Sequence, residues 1–255
     1  MMKMISTIAL LSIAVAAPAQ DAALGNAPTS RGFAMHGFDR IELSGCDIVT
    51  VAIGSGYAVT AQGRAANIDN LRIDMTGSTL RIRRRNDSCN GDDRRVAIAV
   101  TLPSLKAVDV SGAVGMNLPA LDARAFAIDA SGASVLRLAG LRSAAASFDL
   151  SGASRATIGN LQADRVSIGS SGASNVRVEG TARELTIDAS GVGEVDARNL
   201  SAPAVTIGAS GTAKVHAGSA QTAQVSASGM ANVTVEGNPH CTVSKSGLAR
   251  IACGR

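Results

Sequence analysis

Four aspartates, Asp109, Asp129, Asp149 and Asp188, each stand two residues before a Ser-Gly pair. Aligned carboxylates offer oxygen ligands for calcium or the paired acids of a polysaccharide lyase or hydrolase, with Asp129, Asp149 and Asp188 as candidates. The plainer reading is structural. Gly169 and Gly208 interrupt the column, and carboxylates beside a bend bond to nearby Ser or backbone N–H groups. The GGxGxD calcium repeat does not occur. The serines invite a nucleophile reading, but a nucleophilic serine needs a base and an orienting group. The three histidines, His36, His216 and His240, are scattered, and eight equivalent serines read as one structural part repeated. These residues nominate no catalytic, cofactor-binding or metal site.

A basic cluster, Arg81, Arg83, Arg84, Arg85, Arg94 and Arg95, brackets Cys89. Arg81 and Arg83 alternate with Leu80 and Ile82, so they project from one face of a strand. Such a cluster attracts anions: lipopolysaccharide phosphates or an acidic glycan. Set against that is a solvated face neutralised in part by Asp87, Asp92 and Asp93.

The element that positions these groups is the Ser-Gly pair itself. It recurs at Ser111, Ser131, Ser151, Ser171, Ser190, Ser210, Ser228 and Ser246, at intervals of 20, 20, 20, 19, 20, 18 and 18 residues. A fixed period of this length indicates stacked repeats. Before each serine, apolar residues alternate with polar ones, as in a strand. The position three residues upstream holds Val108, Ile128, Phe148, Ile168, Ile187, Ile207, Val225 and Val243 without exception. After each glycine a second strand follows, led inward by Met116, Leu136, Ala156, Val176, Val195, Val215, Val233 and Ile251. One coil cannot bury its own apolar face, but stacked coils bury a continuous column. The spacing predicts an all-β, single-domain right-handed parallel β-helix with coils of about 18–20 residues.

Residues 1–19 read as a signal peptide: Lys3, an apolar run from Ile5 to Ala17 too short to span a bilayer, then Ala17-Pro18-Ala19. Residues 20–37 lack periodicity and read as a flexible leader. Residues 38–255 form the solenoid, with irregular coils over 38–105 and regular ones over 106–255. Ile41, Leu43, Ser44-Gly45 and Ile48 to Val51 make a first repeat; Leu71, Ile73, Met75, Thr76-Gly77, Leu80 and Ile82 make another. No later segment is apolar enough to cross a membrane as a helix.

In an exported chain disulfides persist. Cys241 and Cys253 occupy facing inward columns of the last repeat, so they are expected to bond and close the final coil; Cys46 and Cys89 then pair by elimination. Four cysteines permit three pairings, and without CxxC or CxxH spacing zinc is disfavoured. Export and the lack of interleaved aromatics argue against nucleic acid. With no Trp, one Tyr and four Phe, a sugar-stacking groove is disfavoured too. The outward column Ala107, Ala127, Ser147, Ser167, Thr186, Thr206, Gln224, Thr242 is too irregular for an ice-binding plane.

Coils of the form Asp129-Ala130-Ser131-Gly132-Ala133-Ser134, after a first strand led by Phe38, resemble the bacterial auto-transporter adhesin "head GIN" domain over residues 38–255. The resemblance implies a right-handed parallel β-helix outside the cytoplasmic membrane and an adhesin-like role, with no functional residues to carry over. The sequence is therefore read as an exported, non-enzymatic β-solenoid in the periplasm or on the cell surface, a binding module or envelope scaffold that needs no cofactor. Its expected partners are an anionic glycan, lipopolysaccharide or an envelope protein. The alternative is a polysaccharide-active enzyme using the outward carboxylates.

Overall fold

The computed structural model describes residues 28–86, Cys89 and residues 94–254. The expected signal peptide and residues 20–27 of the expected leader lie outside them. In chain order the elements are β1 (Pro28–Phe33), β2 (Arg40–Gly45), β3 (Ile48–Ile53), β4 (Ala58–Arg64), α1 (Ala65–Asp69), β5 (Leu71–Thr76), β6 (Thr79–Arg84), β7 (Ala97–Leu102) and β8 (Ala107–Gly112). Longer strands follow: β9 (Gly115–Ala130), β10 (Val135–Leu150), β11 (Arg155–Ser170), β12 (Asn175–Ala189), β13 (Glu194–Ser201), β14 (Ala204–Ala209), β15 (Lys214–Ala227), β16 (Asn232–Lys245) and β17 (Arg250–Cys253). They form one sheet wound into a β-solenoid of about seven turns.

Alternation sets the burial and stacking sets the register. β10 pairs in parallel with β9 and β11, placing Leu136 between Met116 and Ala156, and Phe148 between Ile128 and Ile168. These residues belong to one continuous core. The bends stack as well: Ala133 N–H donates to Gly112 O at 2.9 Å, and Ala153 N–H to Gly132 O at 2.7 Å. Gly132 has φ +77°, and a Cβ there would lie 2.8 Å from the backbone N and O of Gly112. Only glycine lets one bend nest on the next. Just inside the bends Ser134, Ser154 and Ser174 are fully buried. Ser134 Oγ donates to Ser154 Oγ at 3.0 Å and Ser154 Oγ to Ser151 O at 2.8 Å, which satisfies these hydroxyls inside the core.

The N-terminal region departs from the expected coils. β2 and β3 form the first coil, with Ser44-Gly45 in register with Ser111-Gly112, and they stack directly on β8 and β9. Residues 54–106 are an excursion that returns over the outer side of this coil, β6 pairing with β2 and β7 with β3. Residues 71–82, expected as a coil bending at Thr76-Gly77, form instead the antiparallel β5–β6 hairpin. Residues 28–33, expected within a flexible leader, form β1, antiparallel to β4, which is itself antiparallel to β7. A solenoid end must cover its last rung. Here the reversed strands do so, with Ile68 of α1 and Leu71 buried against the core.

The cap is fastened at the first bend. Cys46 and Cys89 form a disulfide, and the neighbouring Asp47, fully buried, pairs with Arg84, whose side chain is 2% exposed. Asp47 also accepts the Val96 N–H at 2.9 Å. At the other end Cys241 and Cys253 are bonded, joining β16 to β17. This bond closes the coil without covering it. Among the described residues no strand stacks beyond β17, and the inward residue Val243 is 47% exposed.

Candidate binding groove

The structure divides the six arginines expected as one anion-binding patch. Arg84 is a correction: its guanidinium points into the protein, held by Asp47, and also donates to the Arg94 carbonyl at 2.6 Å. Arg81 pairs with Glu42 at 3.0 Å and Arg83 with Asp74 at 2.8 Å. Burial would raise the Asp74 carboxyl, but Arg83 and Arg72 hold it below the usual carboxylate range. Arg85 is exposed, and Arg94 and Arg95 each have partners of their own. An anion arriving here meets the guanidinium groups of Arg81, Arg83 and Arg84 already engaged.

A better-formed site lies on the arm that precedes the bends. Successive coils stack their outward residues in columns. One runs Arg40, Ala107, Ala127, Ser147, Ser167, Thr186. Beside it runs Ala125, Ala145, Arg165, Glu184. Where the four alanines meet, the surface sinks into a groove of about 570 Å³, with buried Phe126 beneath. An adjoining hollow of about 590 Å³ shares Lys106, Ala125, Ala145 and Arg165 and adds Arg124. Arg40 stands at one end with Lys106 one rung in, Glu184 stands at the other, and Arg165 beside Glu184 lies four rungs from Arg40. At about 4.8 Å per rung that is about 19 Å. Asp39 holds Lys106 at 2.5 Å, whereas Arg165 forms no ion pair among the described residues.

The third outward column is the aspartate column, and the register extends it: Glu42, Asp109, Asp129 and Asp149 occupy four successive rungs, followed by Gly169, Asp188 and Gly208. Burial, then the charges of Asp129 and Glu42, push the Asp109 carboxyl above its ordinary range. Asp149 accepts the Ser147 hydroxyl at 3.0 Å. It leans across Gly169, where any side chain would meet its Oδ1, and Asp188 treats Gly208 alike. The glycine gaps thus make room for the carboxylate of the preceding coil. An acidic column therefore runs beside the groove without lining it, and at the far end Glu184 joins Arg165 in the lining.

The repeated serines stand apart from any base. Ser131 and Ser151 donate to the carbonyls of Val110 and Ala130 at 3.4 Å, while His216 sits on the other arm between Asp196 and Thr234. Among the described residues no three His, Cys, Asp or Glu side chains gather as metal ligands. No described helix is long and apolar enough to cross a membrane.

Several solved structures share this architecture. A "Putative lipid binding protein" from Parabacteroides distasonis superposes with a TM-score of 0.79 at 18% identity, over 90% of this chain and 97% of that one. A "putative adhesin" from Parabacteroides merdae gives 0.77 at 18% identity, over 89% and 95%. A "putative adhesin" from Bacteroides fragilis gives 0.67 at 17%, over 89% and 97%. At these identities the likeness is one of fold. No curated protein matches the chain in sequence. Residues 37–239, from just before β2 into β16, match the model of one family, and the chain belongs to it: "Putative auto-transporter adhesin, head GIN domain".

Proposed function

We propose that the protein is an exported, adhesin-like binding module of a bacterial envelope, without chemistry of its own, and that the alanine-floored groove holds its ligand. The observation that carries this reading is the groove's charge pattern: an apolar floor with Arg40, Lys106 and Arg165 set apart along it, and an acidic column running beside it. Membership of the family described as a "Putative auto-transporter adhesin" and similarity in fold to a "putative adhesin" and a "Putative lipid binding protein" support it. Glu42, Asp109, Asp129 and Asp149 would repel a uniformly charged polyanion. The pattern suits an elongated amphiphilic glycoconjugate with separated anionic groups, such as lipopolysaccharide, whose phosphates meet Arg40, Lys106 and Arg165.

Binding of immobilised lipopolysaccharide and of a polyuronate tests this. The lipopolysaccharide is expected to bind and the polyuronate to bind poorly, and Arg165→Glu is expected to weaken the former about tenfold or more. A hydrogen bond to a charged group is worth about 1.5–3 kcal/mol, and about 1.4 kcal/mol is a factor of ten. Equal binding of both ligands, or indifference to Arg165→Glu, would refute the reading. A second reading, polysaccharide cleavage, is favoured by one observation: Asp109 is raised beside Asp129 at a rung spacing close to the about 5–5.5 Å of retaining glycosidases. Release of reducing ends, lost in Asp109→Asn, would establish that reading instead.

A further inference from the structure

The exposed large apolar residues of the described chain are few, and four of the six lie towards one end: Val192 at 67%, Met230 at 60%, Leu248 at 76% and Val243 at 47% exposure. Three of them share a column at the tip of the bends. The N–H groups of Val192, Thr212, Met230 and Leu248 each donate to the glycine carbonyl of the coil before, so the four tips stand one above another over about 14 Å. In the earlier coils the same column holds Ala113, Ala133, Ala153 and Ala173. The tip is small along most of the rod and becomes an apolar ridge only as it approaches the open C-terminal end.

Charge changes along the same axis. The aspartate column gives way to Gly208, Ser226 and Ser244, and from residue 209 onward Glu236 is the only acid in the sequence. Lys214, Lys245 and Arg250 are exposed in the strands on either side of the ridge, and Lys245 and Arg250 form no ion pair among the described residues. Val243 and the partly exposed Ile251 add apolar surface at the end itself.

We propose that this C-terminal end docks on an anionic lipid surface, the ridge of Met230 and Leu248 entering the headgroup region while Lys214, Lys245 and Arg250 engage lipid phosphates. The ridge is convex and built from long, flexible side chains at tight bends. A fluid interface receives such a shape, whereas a protein partner would need a matching pocket. A second copy docked end to end would set Lys245 and Arg250 against their own equivalents, with Glu236 the one acid from residue 209 onward to answer them. Met230 lies two coils beyond Thr186, the last groove residue, and the groove takes no part, so docking stands or falls independently of the ligand reading above.

Vesicle sedimentation of the full chain tests the proposal, with phosphatidylglycerol and phosphatidylethanolamine vesicles against phosphatidylcholine alone. Binding is expected on the anionic vesicles only and is expected to fall steeply in molar salt. Met230→Ser/Leu248→Ser and, separately, Lys245→Glu/Arg250→Glu should each lower partitioning about tenfold or more. Both pairs change exposed positions, and thermal melts matching the wild type show that the coils remain intact; Arg165→Glu should partition like the wild type. The proposal is overturned if the wild type ignores anionic vesicles, or if both double variants bind as it does. A concentration-dependent dimer abolished by Met230→Ser/Leu248→Ser, without vesicle binding, would assign the end to self-association instead.

Discussion

Replacing Asp47 by alanine should loosen the N-terminal cap more than any other single polar change. The variant leaves Arg84, whose side chain is 2% exposed, with the Arg94 carbonyl as its remaining partner, and it also strips the Val96 N–H of its acceptor. Removing one member of a buried ion pair costs about 3–5 kcal/mol, a large share of a total stability of about 5–15 kcal/mol. For a chain of this size each kcal/mol moves Tm by about 2–4 °C, so a drop of about 6–20 °C is expected. Because neighbouring coils stabilise one another pairwise, the loss should begin in β3, β6 and β7, and hydrogen exchange should accelerate there before it does in β10 or β11. Asp47→Leu with Arg84→Met should recover much of the loss, since two apolar groups leave no buried charge unpaired. Circular dichroism melts and denaturant titrations read the effect. A loss below about 1 kcal/mol for Asp47→Ala would refute the assignment of Arg84 to the cap and return it to the surface patch.

Two further predictions concern the acidic ladder and the C-terminal end of the rod. Asp109 has its carboxyl raised in the folded state, so the stability tied to its protonated form is complete below the ordinary pKa of 3.8 and is lost as pH rises through the folded value. Asp109→Asn should therefore raise Tm at neutral pH, with the gain over the wild type vanishing below pH 3.8; a variant less stable at neutral pH would contradict the repulsion inferred along the column. Cys253→Ser opens a loop of 12 residues, worth up to about 3 kcal/mol. Limited proteolysis should then cut within residues 240–254 while the upper coils survive; whole-chain degradation would contradict local fraying.

Much of the array was legible because a β-solenoid writes its core in columns: the unbroken run from Val108 to Val243 and the glycine after every serine specify strand, bend and register together. The cap was not, since alternation has the same period of two in parallel and antiparallel strands. Thr76-Gly77 reads equally well as a solenoid bend or a hairpin turn. β1 escaped because Pro28–Phe33 lies at an edge, where no face must be apolar. The burial of Arg84 had a signal: it shares the parity of Leu80 and Ile82, whereas Arg81 and Arg83 take the other face. The alanine columns of the groove are visible in the repeats. The closure of the groove by Arg40 is not, because it depends on β2 stacking directly on β8 across an excursion spanning residues 54–106.

The chain contains no tryptophan, so one introduced tryptophan reports on one place. The most direct test of the groove is to compare Ser167→Trp, on its wall, with Thr157→Trp, exposed on the other arm of the same strand, while titrating lipopolysaccharide. A saturable shift in emission at position 167 with none at 157 is the predicted result. A shift at 157 alone, or none at either position while the ligand demonstrably binds, would place the binding surface elsewhere.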